Sequence, residues 1–182
     1  MSRELIIPVG VIAEKRKAIS QWADDYWVPS AIFEGAAAQK PGEVIRQEEK
    51  KTVYFMGFAE IFCHATETES YVHNFDSRDP AVYVVLRRDD ENEHPLPWYV
   101  HMVSVSPYEA LDYTDSAEEI VERVQMPNAL YARVLEFTSS HHVEQPFKKR
   151  KRKDFKNEKP KFGKEPIFLE RGRPKSGGGL DG

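Results

Sequence analysis

The sequence predicts an α+β domain: a mainly antiparallel sheet, or partly closed barrel, of about six strands, covered by a C-terminal helix and followed by a disordered basic tail. Three observations predict it. Apolar runs rich in Val, Ile, Tyr and Phe recur at short spacing through the first 105 residues. Helix-start signals are concentrated after Val105, and the clearest amphipathic stripe comes last. Strands first and helices last is the order of an α+β architecture.

The runs occupy residues 5–13, 28–33, 53–62, 71–75, 81–86 and 98–105. Their β-branched and aromatic content suits strands. In the fourth, Tyr71, His73 and Phe75 alternate; in the sixth, Tyr99, His101, Val103 and Val105 interleave with Val100, Met102 and Ser104. Such spacing implies antiparallel strands in a sheet closed or folded on itself. Polar turns separate the runs at 34–42, 66–70, 76–80 and 87–97, the last with the acidic hairpin tip Asp89-Asp90-Glu91-Asn92-Glu93.

Ser106-Pro107-Tyr108-Glu109 supplies a cap, a proline at the first helical position and an acid at the third, a capping box that opens a helix through about Asp112. Ser116-Ala117-Glu118-Glu119 repeats the device, but Pro127 leaves barely two turns, so this segment is read as either helix or strand. Between residues 127 and 142, Leu130, Val134 and Phe137, with Tyr131, Leu135 and Thr138, recur at helical steps and form a stripe that must lie on the sheet.

With 182 residues and 40% apolar content, the chain can bury one good core. We therefore divide it into a domain, 1–146, and a tail, 147–182. The tail holds 13 Lys/Arg and 5 Asp/Glu, net +8; the body holds 13 Lys/Arg and 25 Asp/Glu, net −12. A single cysteine, Cys63, rules out an internal disulfide and fits a reducing compartment, where it serves as a small buried hydrophobe. The short apolar patch in residues 5–8 does not make a signal peptide, and no stretch approaches the length of a membrane span. The expected location is the cytoplasm.

The usual signatures of chemistry are missing. There is no Gly-x-Gly-x-x-Gly, no Gly-x-x-x-x-Gly-Lys, no serine nucleophile elbow and no His-Glu-x-x-His. Cys63-His64, His73 and His141-His142 are the available soft ligands; neighbours on a strand point to opposite faces, so no metal site is expected. The adjacent acids Asp24/Asp25 and Glu118/Glu119 read as hydrated surface, so no catalytic residue and no cofactor are expected. Trp22, Tyr26, Trp27 and Tyr54 serve either the core or, through Trp22 and Trp27, a partner-facing loop.

The tail divides the function hypotheses. Lys148, Lys149, Arg150, Lys151, Arg152 and Lys153 form an unbroken basic run, followed by Phe155, Phe162, Ile167 and Phe168. A protein partner would use the run for steering and Phe162, Ile167 and Phe168 as anchors. A nucleic acid would use the same run as a phosphate track with stacking faces. The third reading is a solvated arm beside an acidic body.

Several segments resemble a bacterial domain-of-unknown-function family: Ile7-Pro8-Val9-Gly10-Val11, Ala81-Val82-Tyr83-Val84-Val85-Leu86-Arg87, Val105-Ser106-Pro107-Tyr108-Glu109-Ala110 with Asp112-Tyr113, and His141-His142-Val143-Glu144 with Pro146-Phe147 and Lys149-Arg150-Lys151-Arg152. The likeness covers about residues 5–153. It implies genes encoded beside those for molybdenum-dependent formate dehydrogenases, and for some members a label of molybdopterin-guanine dinucleotide biosynthesis. The glycine-rich nucleotide loop that such an enzyme needs has no counterpart here. The expected function is thus a non-catalytic accessory or adaptor protein with a protein partner, in molybdoenzyme maturation. The alternatives are nucleic-acid binding through the basic tail and molybdenum-cofactor biosynthesis.

Overall fold

The computed structural model describes residues 2–35, 38–115 and 118–143, all within the first of the two units into which the chain divides, Met1–Glu144. The basic run and its aromatic anchors lie outside the described residues. The elements follow the order β1 (Glu4–Arg16), β2 (Tyr26–Glu34), β3 (Val44–Gln47), β4 (Lys51–His64), α1 (Thr68–Phe75), β5 (Ala81–Arg88), β6 (Trp98–Ser104), α2 (Pro107–Thr114), β7 (Glu119–Gln125) and α3 (Asn128–His141).

The strands form two sheets, ordered β2-β1-β4-β3 and β6-β5-β7, and every pairing is antiparallel. This is the α+β fold the sequence predicts, realised without closure into a barrel. The sheets come together along β4 and β6 and along β2 and β7, and share one apolar core. Ile7, Val9 and Val11 of β1 meet Val82, Val84 and Leu86 of β5 in that core, and α3 adds Leu130, Val134 and Phe137. Among the described residues no helix is long and apolar enough to cross a membrane.

Alternation decides which face of β1 is inside: Ile7, Val9, Val11 and Ala13 are fully buried, while Ile6 and Pro8 face outward. On β4 the phase changes at a bulge. Val11 pairs with Gly57 but Ile12 pairs with Phe55, so Met56 is the extra residue, and Gly57 takes the left-handed φ of 121° that glycine tolerates. The bulge brings Phe55 and Phe58, three residues apart, onto one face with ring centroids 5.1 Å apart.

Residues 71–75, read above as a strand, are helical. The buried positions of α1 are Thr68, Ser70, Tyr71 and Asn74, of which Thr68, Tyr71 and Asn74 recur at helical steps. Asn74 explains why a polar residue belongs there: its Nδ2 donates to Ala81 O and to Val105 O, both at 2.8 Å, tying α1 to β5 and to the end of β6. The Tyr71 hydroxyl accepts from the His64 amide at 2.9 Å and donates to Glu67 at 3.2 Å, which closes the connection from β4.

The Ser106 box does open α2, its hydroxyl accepting from the Glu109 amide at 3.4 Å. Its return half runs through another serine: Ser104 accepts from the Ser106 amide and donates to the Glu109 carboxylate. The second apparent box yields a strand, β7, because its residues pair along β5 from Gln125 opposite Ala81 to Glu119 opposite Arg87. A ladder partner overrides a local helix signal.

Candidate interaction surface

The outer face of the first sheet leaves several large apolar side chains exposed. Ile6 lies directly opposite Phe62, Pro8 opposite Glu60, and Gly10 opposite Phe58. Ile6, Phe58 and Phe62 are 46%, 48% and 47% exposed, unusual for large apolar side chains clustered on one sheet face. The ring of Phe33 from β2 lies over Gly10, where a β-carbon would collide with it, and packs against Phe58 with centroids 6.4 Å apart. The result is an apolar stripe across β2, β1 and β4, with the exposed carboxylate of Glu60 within it.

Two further features mark this corner. The ladder between β1 and β2 ends at Val9 opposite Glu34, so, among the described residues, positions 4–8 of β1 have a sheet partner on one side only. Arg3 O accepts from the Ala65 amide on the β4 side, and alternation therefore turns the main-chain groups of Ile6 and Pro8 toward the open side. Pro8 has no N–H to offer there.

Trp22 and Trp27, five residues apart in sequence, are separated by the fold. Trp22 is 89% exposed in the connection between β1 and β2. Trp27 is 7% exposed, with its ring centroid 5.0 Å from that of Tyr54, and its contribution is packing. The stripe of Ile6, Pro8, Phe58 and Phe62 was not singled out from sequence. Its one available signal was the placement of Pro8 and Glu60 in otherwise apolar runs.

Burial, then the nearby Glu109 and Glu67 carboxylates, push the Cys63 thiol up to about 12, so it is neither a nucleophile nor a ready ligand. Burial and the adjacent Arg87 guanidinium lower the pKa of His101, against the pull of Glu119. Arg87 donates through Nε and Nη2 to one oxygen of Glu119, at 3.1 and 2.7 Å. Among the described residues no group of three His, Cys, Asp or Glu side chains could hold a metal ion.

Residues 8–151 match the family model for a protein of unknown function, DUF3305. The chain belongs to the DUF3305 family. The matched span takes in all the described strands and helices except the first four residues of β1, and continues as far as Lys151. The DUF3305 region thus includes Pro8, Phe58, Glu60 and Phe62 of the stripe together with Lys148, Lys149, Arg150 and Lys151, while Phe162, Ile167 and Phe168 fall beyond it. No curated protein and no solved structure matches the chain.

Proposed function

We propose that this DUF3305 protein is a non-catalytic accessory protein of the cytoplasm that binds a protein client through the outer face of its first sheet. The observation that carries the reading is the exposed stripe of Ile6, Pro8, Phe58 and Phe62. Contiguous exposed apolar side chains on a folded domain mark interaction sites, because leaving them in water gives up burial free energy of roughly 25 cal/mol per Å². The net −12 of residues 1–146 and net +8 of the remainder supply steering of both signs. In this scheme the run from Lys148 to Lys153 speeds encounter, while Phe162, Ile167 and Phe168, with the exposed Trp22, add local affinity. The client class is a molybdenum-dependent enzyme such as formate dehydrogenase, as the family resemblance implies.

The test uses a purified client, first identified by affinity capture with the tagged full chain. Replacing Ile6 and Phe62 with Asp should weaken its binding by about a hundredfold or more, the loss expected of two central apolar anchors. A chain ending at Glu144 should bind more slowly and lose most of its salt dependence. Unchanged affinity in the Ile6/Phe62 variant would remove the sheet face from the proposal.

A further inference from the structure

A cavity of about 740 Å³ lies where the turn between α1 and β5 meets β7 and the start of α3. Small-molecule sites run from about 300 to 1,000 Å³. One wall is aromatic: Phe75 and Tyr131 stand edge to face, centroids 4.9 Å apart. Among the described residues, the charged side chains lining it are Arg78, Arg123 and Asp79. Two guanidiniums against one carboxylate leave a local cationic spot on a body that is net −12.

The frame around this cavity is fixed. Asn74 clamps Ala81, Ser77 Oγ donates to Asn74 O at 2.6 Å, and the Met126 amide donates to Pro80 O at 3.4 Å. Arg123 Nη2 donates to Asp79 O at 2.8 Å, which aims the guanidinium while leaving its other donors available. Arg78 forms no hydrogen bond or ion pair with a described residue. Arg123, aimed by its anchor, and Arg78, with its donors left over, suit an oxyanion, which accepts paired N–H bonds from a guanidinium fork, and the ring wall suits a flat apolar body.

From this geometry we infer that the cavity binds a small organic oxyanion, its charged group on Arg78 and Arg123 and its flat body against Phe75 and Tyr131. This site lies apart from the apolar stripe and does not depend on it. Phenyl phosphate carries both elements and is the probe; inorganic phosphate and benzyl alcohol each carry one. In the isotope-labelled full chain, phenyl phosphate should shift the amide signals of Arg78, Asp79, Arg123 and Gln125 saturably below about 10 mM, and more tightly than either half-probe. Arg78→Gln, an exposed position that leaves the unfolding midpoint in place, should weaken the affinity by about tenfold. Tyr131→Leu should reduce the advantage of phenyl phosphate over inorganic phosphate. Shifts confined to residues after 143, where the basic run would take any anion, would overturn the inference, as would unchanged affinity in Arg78→Gln.

Discussion

Asn74 grips Ala81 at both ends: its Nδ2 donates to the Ala81 carbonyl at 2.8 Å and its Oδ1 accepts from the Ala81 amide at 3.1 Å. A third bond, to Val105 O, makes this 2%-exposed side chain the joint between α1, β5 and the end of β6. Asn74→Ala strands three buried main-chain groups, so the expected loss is about 3 kcal/mol. Urea unfolding of the two proteins measures it, and a loss under about 1 kcal/mol would show that water or a neighbour replaces the side chain.

Gly10 and Phe33 make a second joint. Because the Phe33 ring occupies the space of a β-carbon at Gly10, Gly10→Ala should destabilise the domain by about 1–3 kcal/mol. Phe33→Leu, by freeing that space, should make the same glycine change cheaper. A double-mutant cycle reads the coupling, and strict additivity would mean that the ring moves aside without cost.

Phe62 and Ile61 are neighbours in sequence with opposite fates, 47% and 0% exposed. Phe62→Thr keeps a strand-forming residue and should shift stability by less than about 1 kcal/mol. Ile61→Ala opens a hole in the core and should cost about 2–5 kcal/mol. Equal losses would show that the outer face is covered in solution by something the described residues do not include.

Cys63 should be silent in the native state. With its thiol pushed to about 12 by burial first and by Glu109 and Glu67 after it, reaction with a disulfide reagent near neutral pH should wait for unfolding. Rapid labelling without denaturant would contradict its placement.

Glu14 gives the stability a pH dependence of known sign. Burial opposes its ionisation, but hydrogen bonds from Lys51 at 3.0 Å and Arg16 at 2.8 Å outweigh it and hold its pKa below the ordinary carboxylate value. A carboxylate with a depressed folded pKa stabilises fully above its unfolded value, and that contribution fades as the pH drops through the folded one. Wild type should therefore lose more stability than Glu14→Gln on acidification from pH 5 to about pH 3. Parallel losses in the two proteins would assign the pair no net role.

The architecture was largely legible because its strands are long and β-branched and because α2 and α3 carry a cap and a clean stripe. The misread segment shows where this fails. In α1 three of the buried positions are filled by Thr68, Ser70 and Asn74, so the apolar residues alone, Tyr71, Val72 and Phe75, are too few to show the helical period. β3 was missed because its four residues are all exposed and show no alternation. The apolar stripe was illegible for a different reason: β1 and β4 are apolar on both faces. Ile6 and Ile7, or Ile61 and Phe62, cannot be assigned inside or outside until the second sheet is seen to lie on one side. The cavity beside α3 is assembled from two stretches far apart in sequence, 75–81 and 123–131, and no spacing along the chain announces it.

Pro8 bears on how the molecule behaves when crowded. The uncovered margin of β1 is the kind of border along which identical chains can zip together and grow without limit, fibril fashion. A ring in place of an amide hydrogen interrupts that zipper at its inner end, next to Val9 where the ladder to β2 begins, so the margin can receive a short visitor but is a poor template for endless copying. Substituting Pro8 would remove the safeguard while leaving the fold's interior untouched.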